Sequence, residues 1–72
     1  MSSRRHIVLR IVRKLRIRGR PVTRELVINK LISLALRQGL FIGRRERLIP
    51  FIEDWEDYLI EHWPHIHNVA PF

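Results

Sequence analysis

The sequence predicts an all-α domain of three helices, over residues 5–17, 24–38 and 50–62. Apolar residues recur at helical spacing in three separate segments, and glycine or proline stands between them. The 72 residues include no cysteine, so neither a disulfide nor a thiolate metal site can stabilise the fold. A domain of this length buries only about 60% of the surface that its unfolded chain exposes. We therefore expect the chain to gain further core by forming a homodimer.

The first predicted helix has one apolar face. At 100° per residue, its apolar residues occupy an arc about 140° wide, and most of its basic residues fall outside this arc. A strand remains an alternative for residues 15–17, where alternation and β-branching also fit. Gly19 then ends the element. The residues that form the apolar arc are Ile7, Val8, Ile11, Val12 and Leu15.

The second helix is predicted from its start and stop signals. Thr23 is suited to cap the first turn, and Glu25 places a negative charge near the helix N-terminus. Gly39 follows the last apolar position and is typical of a helix end. The apolar residues Leu26, Val27, Leu31, Leu34 and Ala35 keep helical spacing between these signals.

Residues 40–49 allow two interpretations, a short β-hairpin or a helical turn. Pro50 then suits the first position of a helix, and Trp63-Pro64 predicts its end. We expect residues 1–64 to form one domain and residues 65–72 a loop-like C-terminal tail. One face of the last helix carries Phe51, Trp55, Tyr58, Leu59 and His62.

Charge is distributed unevenly along the chain. Residues 1–24 contain nine basic and no acidic residues, and residues 25–47 contain five basic and two acidic ones. Residues 48–72 contain five acidic residues and no Lys or Arg. This asymmetry indicates a polyanionic partner for the first half. The alternative is that the two ends attract each other within the fold or across a dimer.

Arginine outnumbers lysine by twelve to two, which suits bidentate contacts to phosphate or to guanine. We therefore predict a nucleic-acid-binding protein, with DNA favoured, although nothing in the sequence separates DNA from RNA. A helix-turn-helix that reads DNA with its last helix is disfavoured, because that helix would bring four carboxylates to the phosphates. The alternative for the basic residues is an ordinary solvated surface. The predicted binding residues are Arg10, Arg13, Lys14, Arg16, Arg18, Arg20, Arg44, Arg45 and Arg47.

The last helix supports a second interpretation, a protein-interaction module such as an adaptor, an antitoxin-like inhibitor or an assembly subunit. Its partner would dock on Trp55, Tyr58 and Trp63, although aromatic residues at helical spacing more often form core or dimer interface. His62, His65 and His67, beside Glu61, are weak metal candidates, because Pro64 interrupts them and a second cluster with cysteine or acidic partners is missing. We expect no cofactor.

No catalytic motif is present, so we expect a binding protein and not an enzyme. No apolar run approaches the roughly 18 to 20 residues of a membrane span, and the basic N-terminus lacks the features of a secretory signal. We expect a cytoplasmic protein.

Part of the chain resembles the YmgB/AriR family of small biofilm and acid-resistance regulators. The resemblance covers residues 8–36 and consists of a helix, a break led by Gly19, and a second helix with an isoleucine and leucine pattern. It implies a helical dimer that regulates through DNA or a signalling protein, and it supplies no site residues. After Arg37 the family continues with an acidic stretch, whereas this chain has Gly39-Leu40-Phe41-Ile42-Gly43. The residues that carry the resemblance are Ile11, Val12, Leu15, Gly19, Arg20, Val22, Thr23, Arg24, Ile28, Lys30, Leu31, Ile32 and Leu34.

Overall fold

The computed structural model describes residues 3–67, and they form three α-helices. Helix α1 spans Arg4–Ile17, α2 spans Arg24–Arg37 and α3 spans Leu48–His67, with a 3₁₀-helix at Arg45–Arg47 directly before α3. The predicted all-α, three-helix fold is confirmed. Helices α1 and α2 match their predicted bounds to within one residue, and residues 15–17 are helical, so the strand alternative for them is wrong.

Both N-terminal helices begin with a side-chain cap. The backbone N–H of His6 donates to the Ser3 hydroxyl at 3.2 Å, and that of Leu26 donates to the Thr23 hydroxyl at 3.1 Å. Each bond satisfies one of the backbone N–H groups that have no partner at a helix start. The predicted role of Thr23 is thus confirmed, and Ser3 starts α1 in the same way.

Gly19 and Gly39 end these two helices in the left-handed backbone region, with φ angles of 68° and 74°. A residue without a Cβ atom adopts this region at little cost. The next residue can then fold back: Arg20 N–H donates to the Leu15 carbonyl at 2.9 Å, and Leu40 N–H to the Ala35 carbonyl at 3.1 Å. This pattern is the Schellman motif, which satisfies carbonyls at a helix end.

The alternative of a β-hairpin at residues 40–49 is wrong. This segment forms turns, the 3₁₀-helix and the first two residues of α3, and residues 3–67 contain no strand. Gly43 has a φ of 69°, and the N–H groups of Arg44 and Arg47 donate to the carbonyls of Phe41 and Arg44, each at 3.0 Å. The local hydrogen bonds of a helical turn therefore replace those of a strand pair.

Helix α3 is longer than predicted at both ends. Pro50 is its third residue, where the missing N–H costs no bond because the first four N–H groups of a helix have no internal acceptor. The helix also continues through Pro64 to His67, so residues 65–67 are not loop. A proline inside a helix costs about 3 kcal/mol, and burial of Ile66 beyond it contributes about 1.5 to 3 kcal/mol.

One apolar stripe from each helix forms the core. The predicted faces are confirmed for Val8, Ile11, Val12 and Leu15 of α1 and for Val27, Leu31 and Ala35 of α2. Helix α3 contributes Trp55, Leu59 and Ile66. The burial of Ile66 escapes prediction, because the sequence places it in the tail.

We expect the exchange Ile66→Ala to lower the free energy of unfolding by about 2 to 5 kcal/mol, the usual cost of truncating a buried isoleucine. Ile66 is 1% exposed, whereas Ile17 at the end of α1 is 70% exposed. The matched variant Ile17→Ala should therefore lose less than about 0.5 kcal/mol. Urea unfolding followed by circular dichroism measures both values. Equal losses in the two variants would contradict the extension of α3 past Pro64.

Candidate nucleic-acid interface

Two basic residues of α1 and the residue that caps its C-terminus form a stripe along the side that faces α2. Arg10, Lys14 and Arg18 follow one another at intervals of four residues, and all three are exposed. At a rise of 1.5 Å per residue, their Cα atoms lie about 6 Å apart along the helix axis. Their side chains line the space between α1 and α2.

Helix α2 adds Lys30 and Arg37 to the same space. Both are exposed, and they line a cavity of about 220 Å³ together with Lys14 and Arg18. We call the five side chains Arg10, Lys14, Arg18, Lys30 and Arg37 the basic groove. No acidic residue is among those that line it. The groove therefore concentrates five positive charges from two helices on one side of the molecule.

Lys30 and Arg37 were missed by the sequence prediction. They lie seven residues apart and so share a side of α2, which also carries Leu34 of the groove lining. This spacing is visible in the sequence. That the shared side faces the stripe of α1 depends on how the two helices pack, which the periodicity of a single helix does not indicate.

The structure does not bring all predicted basic residues together. Arg13, Arg16 and Arg20 do not line the basic groove, and Arg16 is half-buried. Helical spacing places Arg13 and Arg16 on other sides of α1 than Lys14. A second cluster, Arg44, Arg45 and Arg47, is exposed in the turn and 3₁₀-helix before α3.

Arg4 joins the basic and acidic ends of the chain within the fold. Its guanidinium pairs with the Asp54 carboxylate and lies over the rings of Trp55 and Tyr58, 5.1 Å and 5.6 Å from their centroids. Both contacts attract a cation. The alternative that the two ends attract each other thus holds for Arg4. The five cations of the basic groove have no ion pair with α3 in the described residues.

The aromatic residues predicted to dock a partner lie largely inside the fold. Trp55 is 8% exposed, and Tyr58 and Trp63 are half-buried against the core. Ring contacts run from Phe41 through Phe51, Trp55 and Tyr58 to His62, with centroids 4.5 to 6.4 Å apart. Little of the Trp55 ring is therefore available to a partner, and its main contribution is to packing.

In the described part of the chain, the histidines do not form a metal site. Within it, no three histidine, cysteine or acidic side chains come close enough to share a metal ion. His62 packs against Tyr58 with ring centroids 4.5 Å apart, and His65 is exposed. The side chain of His67 lies outside the described residues, as do residues 68–72 of the predicted tail.

Helix α3 presents the opposite charge. Glu53, Asp54, Glu56, Asp57 and Glu61 are all exposed on it.

None of the helices in residues 3–67 has the combination of length and apolar character that a membrane crossing needs.

Comparison with known proteins adds no relative. No protein-family model, no curated protein and no solved structure matches this chain. The resemblance to the YmgB/AriR family therefore stays a prediction.

Proposed function

We propose that this chain binds nucleic acid, with DNA favoured, through the basic groove, and that it acts as a cytoplasmic regulator and not as an enzyme. One observation carries the proposal: five cations line two adjoining cavities that share Lys14, and no acidic side chain of the described residues lines either cavity. Such a groove can contact several phosphates at once and release the counterions bound to them. Arginine adds bidentate contacts to phosphate oxygens.

The acidic helix restricts how nucleic acid can approach. The exposed carboxylates of α3 would repel phosphates. A nucleic acid is therefore expected on the side of α1 and α2, away from these carboxylates. Phosphate contacts position a protein without reading sequence, so the groove supports affinity and leaves sequence preference to further contacts.

Binding to duplex DNA should weaken steeply with salt. If all five cations contact phosphates, the log–log slope is about −4.5, since each contact contributes about −0.9. The double variant Lys30→Gln/Arg37→Gln should reduce the magnitude of this slope by about 2. The variant Arg44→Gln/Arg45→Gln removes the same charge outside the groove and should change the slope less. Fluorescence anisotropy with a labelled duplex measures all three.

Equal slopes for the two double variants would contradict the groove, because net charge would then explain the binding. A flat slope, or no binding at low salt, would contradict nucleic-acid binding altogether. The same titration with an RNA duplex separates DNA from RNA.

We also propose that the chain forms a homodimer through the side shared by α2 and α3. Leu36, Ile49 and Ile60 are exposed on these helices. Beside Ile60, half-buried Ile28 and Ile52 line an open groove between α2 and α3. A chain of this length gains most from burying such residues against a second copy.

Sedimentation equilibrium tests the dimer. We expect the wild-type chain to be dimeric at micromolar concentration and Ile60→Glu to be monomeric, because a charge would be buried without a partner. Ile17→Glu is the control, since Ile17 is exposed at the end of α1 and does not line this groove. A monomeric wild type, or equal dissociation by both variants, would contradict the proposal.

A second candidate function is a protein-interaction module that docks a basic partner on α3. The observation that favours it is the set of five exposed carboxylates on a helix without Lys or Arg. Copurification separates the two candidates. Nucleic-acid absorbance that disappears after a high-salt wash favours the basic groove, whereas a stoichiometric protein band and no nucleic acid favours α3.

A further inference from the structure

We infer that a cavity between α1, α2 and the start of α3 binds a small amphiphilic anion, a molecule with one acidic head on an apolar body. The cavity has a volume of about 420 Å³. Ligand pockets in proteins occupy about 300 to 1,000 Å³ and combine an apolar lining with a few polar groups. This inference goes beyond nucleic-acid binding, which needs cations but no apolar cavity.

The inner wall of the cavity is apolar and belongs to the core. Ile11, Leu31, Ala35 and Trp55 line it, and all four are buried. These side chains come from all three helices and are packed in the core, so the wall exists before a ligand binds. It offers a hydrocarbon or aromatic body a surface made of aliphatic side chains and the indole ring of Trp55.

The outer wall leaves apolar surface in contact with water. Leu40 is 53% exposed, and Leu34 and half-buried Phe51 lie beside it on the same cavity. An apolar body inserted here would remove these side chains from water, which favours binding.

The polar groups of the cavity select an anion. They are Arg10 and Lys14 of α1 and Gln38 at the end of α2, all exposed, and no acidic residue lines the cavity. A carboxylate or phosphate head can contact both cations while it stays partly in water. A cationic head would meet two like charges, so the chemistry of the lining discriminates by the sign of the head.

Arg10 and Lys14 also belong to the basic groove. An amphiphilic anion in the cavity would therefore neutralise two of the five cations that contact phosphates. This consequence, control of nucleic-acid binding by a small molecule, rests on the proposed function. Binding of the anion in the cavity does not depend on the proposed function, and it is tested without nucleic acid.

Trp55 reports directly on occupation of the cavity. The chain has two tryptophans, so the variant Trp63→Phe leaves Trp55 as the one source of tryptophan fluorescence. The full-length variant is titrated with sodium dodecanoate below the concentration at which it forms micelles, after circular dichroism has shown that it is folded. We expect a saturable change in Trp55 emission, and no saturable change with dodecyltrimethylammonium, which has the same tail and the opposite charge.

Two pairs of variants locate the binding in this cavity. Lys14→Gln should weaken dodecanoate binding about tenfold, the usual scale for loss of one hydrogen bond to a charged group. Arg5→Gln removes one charge from the same helix outside the cavity and should leave binding unchanged. Leu40→Glu should abolish binding by placing a carboxylate at the opening. Ile42→Glu, at a residue that is 82% exposed and does not line the cavity, should not.

Several results would overturn the inference. Equal binding of the two amphiphiles would show that charge does not select the ligand. Equal losses within either pair of variants would show that dodecanoate binds elsewhere. No saturable change below the micellar concentration would show that the cavity takes no such molecule. Because DNA is absent, failure here leaves the DNA titration as an independent test of the proposed function.

Discussion

One apolar stripe from each of the three helices packs into a small core, and this packing sets the orientation of every helix. Val8 of α1, Val27 of α2 and Leu59 of α3 are fully buried, so each helix can take only one rotation about its axis. The described core contains no polar or charged side chain. Every described charge therefore lies at the surface, and the rotation that buries the apolar stripe also decides where each charge points.

This link between core packing and helix orientation explains why the molecule has a basic surface and an acidic surface. With the stripe of α1 turned inward, Arg10, Lys14 and Arg18 lie beside α2, which brings Lys30 and Arg37 to them. On α3, the same requirement leaves the carboxylates outward, and Arg4 with Asp54 links the two ends. A small core thus produces two surfaces of opposite charge.

The sequence predicts what local rules control. Helical periodicity, the Thr23 cap and the glycines at 19 and 39 locate α1 and α2, because each signal acts within a few residues. The length of α3 escapes these rules: Pro50 falls in the first turn, where its missing N–H costs no bond, and burial of Ile66 offsets Pro64. Packing between helices also determines which residues form the candidate site. It adds Lys30 and Arg37 to the basic groove, and it places Trp55 in the core under Arg4.

We propose that packing of the core creates one basic side that binds nucleic acid and one acidic side that does not. Backbone amide chemical shifts of the ¹⁵N-labelled chain, measured as a short DNA duplex is added, distinguish the two sides. We expect little change at residues 53–61 and the largest shift changes around Arg10, Lys14, Arg18, Lys30 and Arg37. Changes centred on residues 53–61, or spread evenly over all three helices, would contradict it.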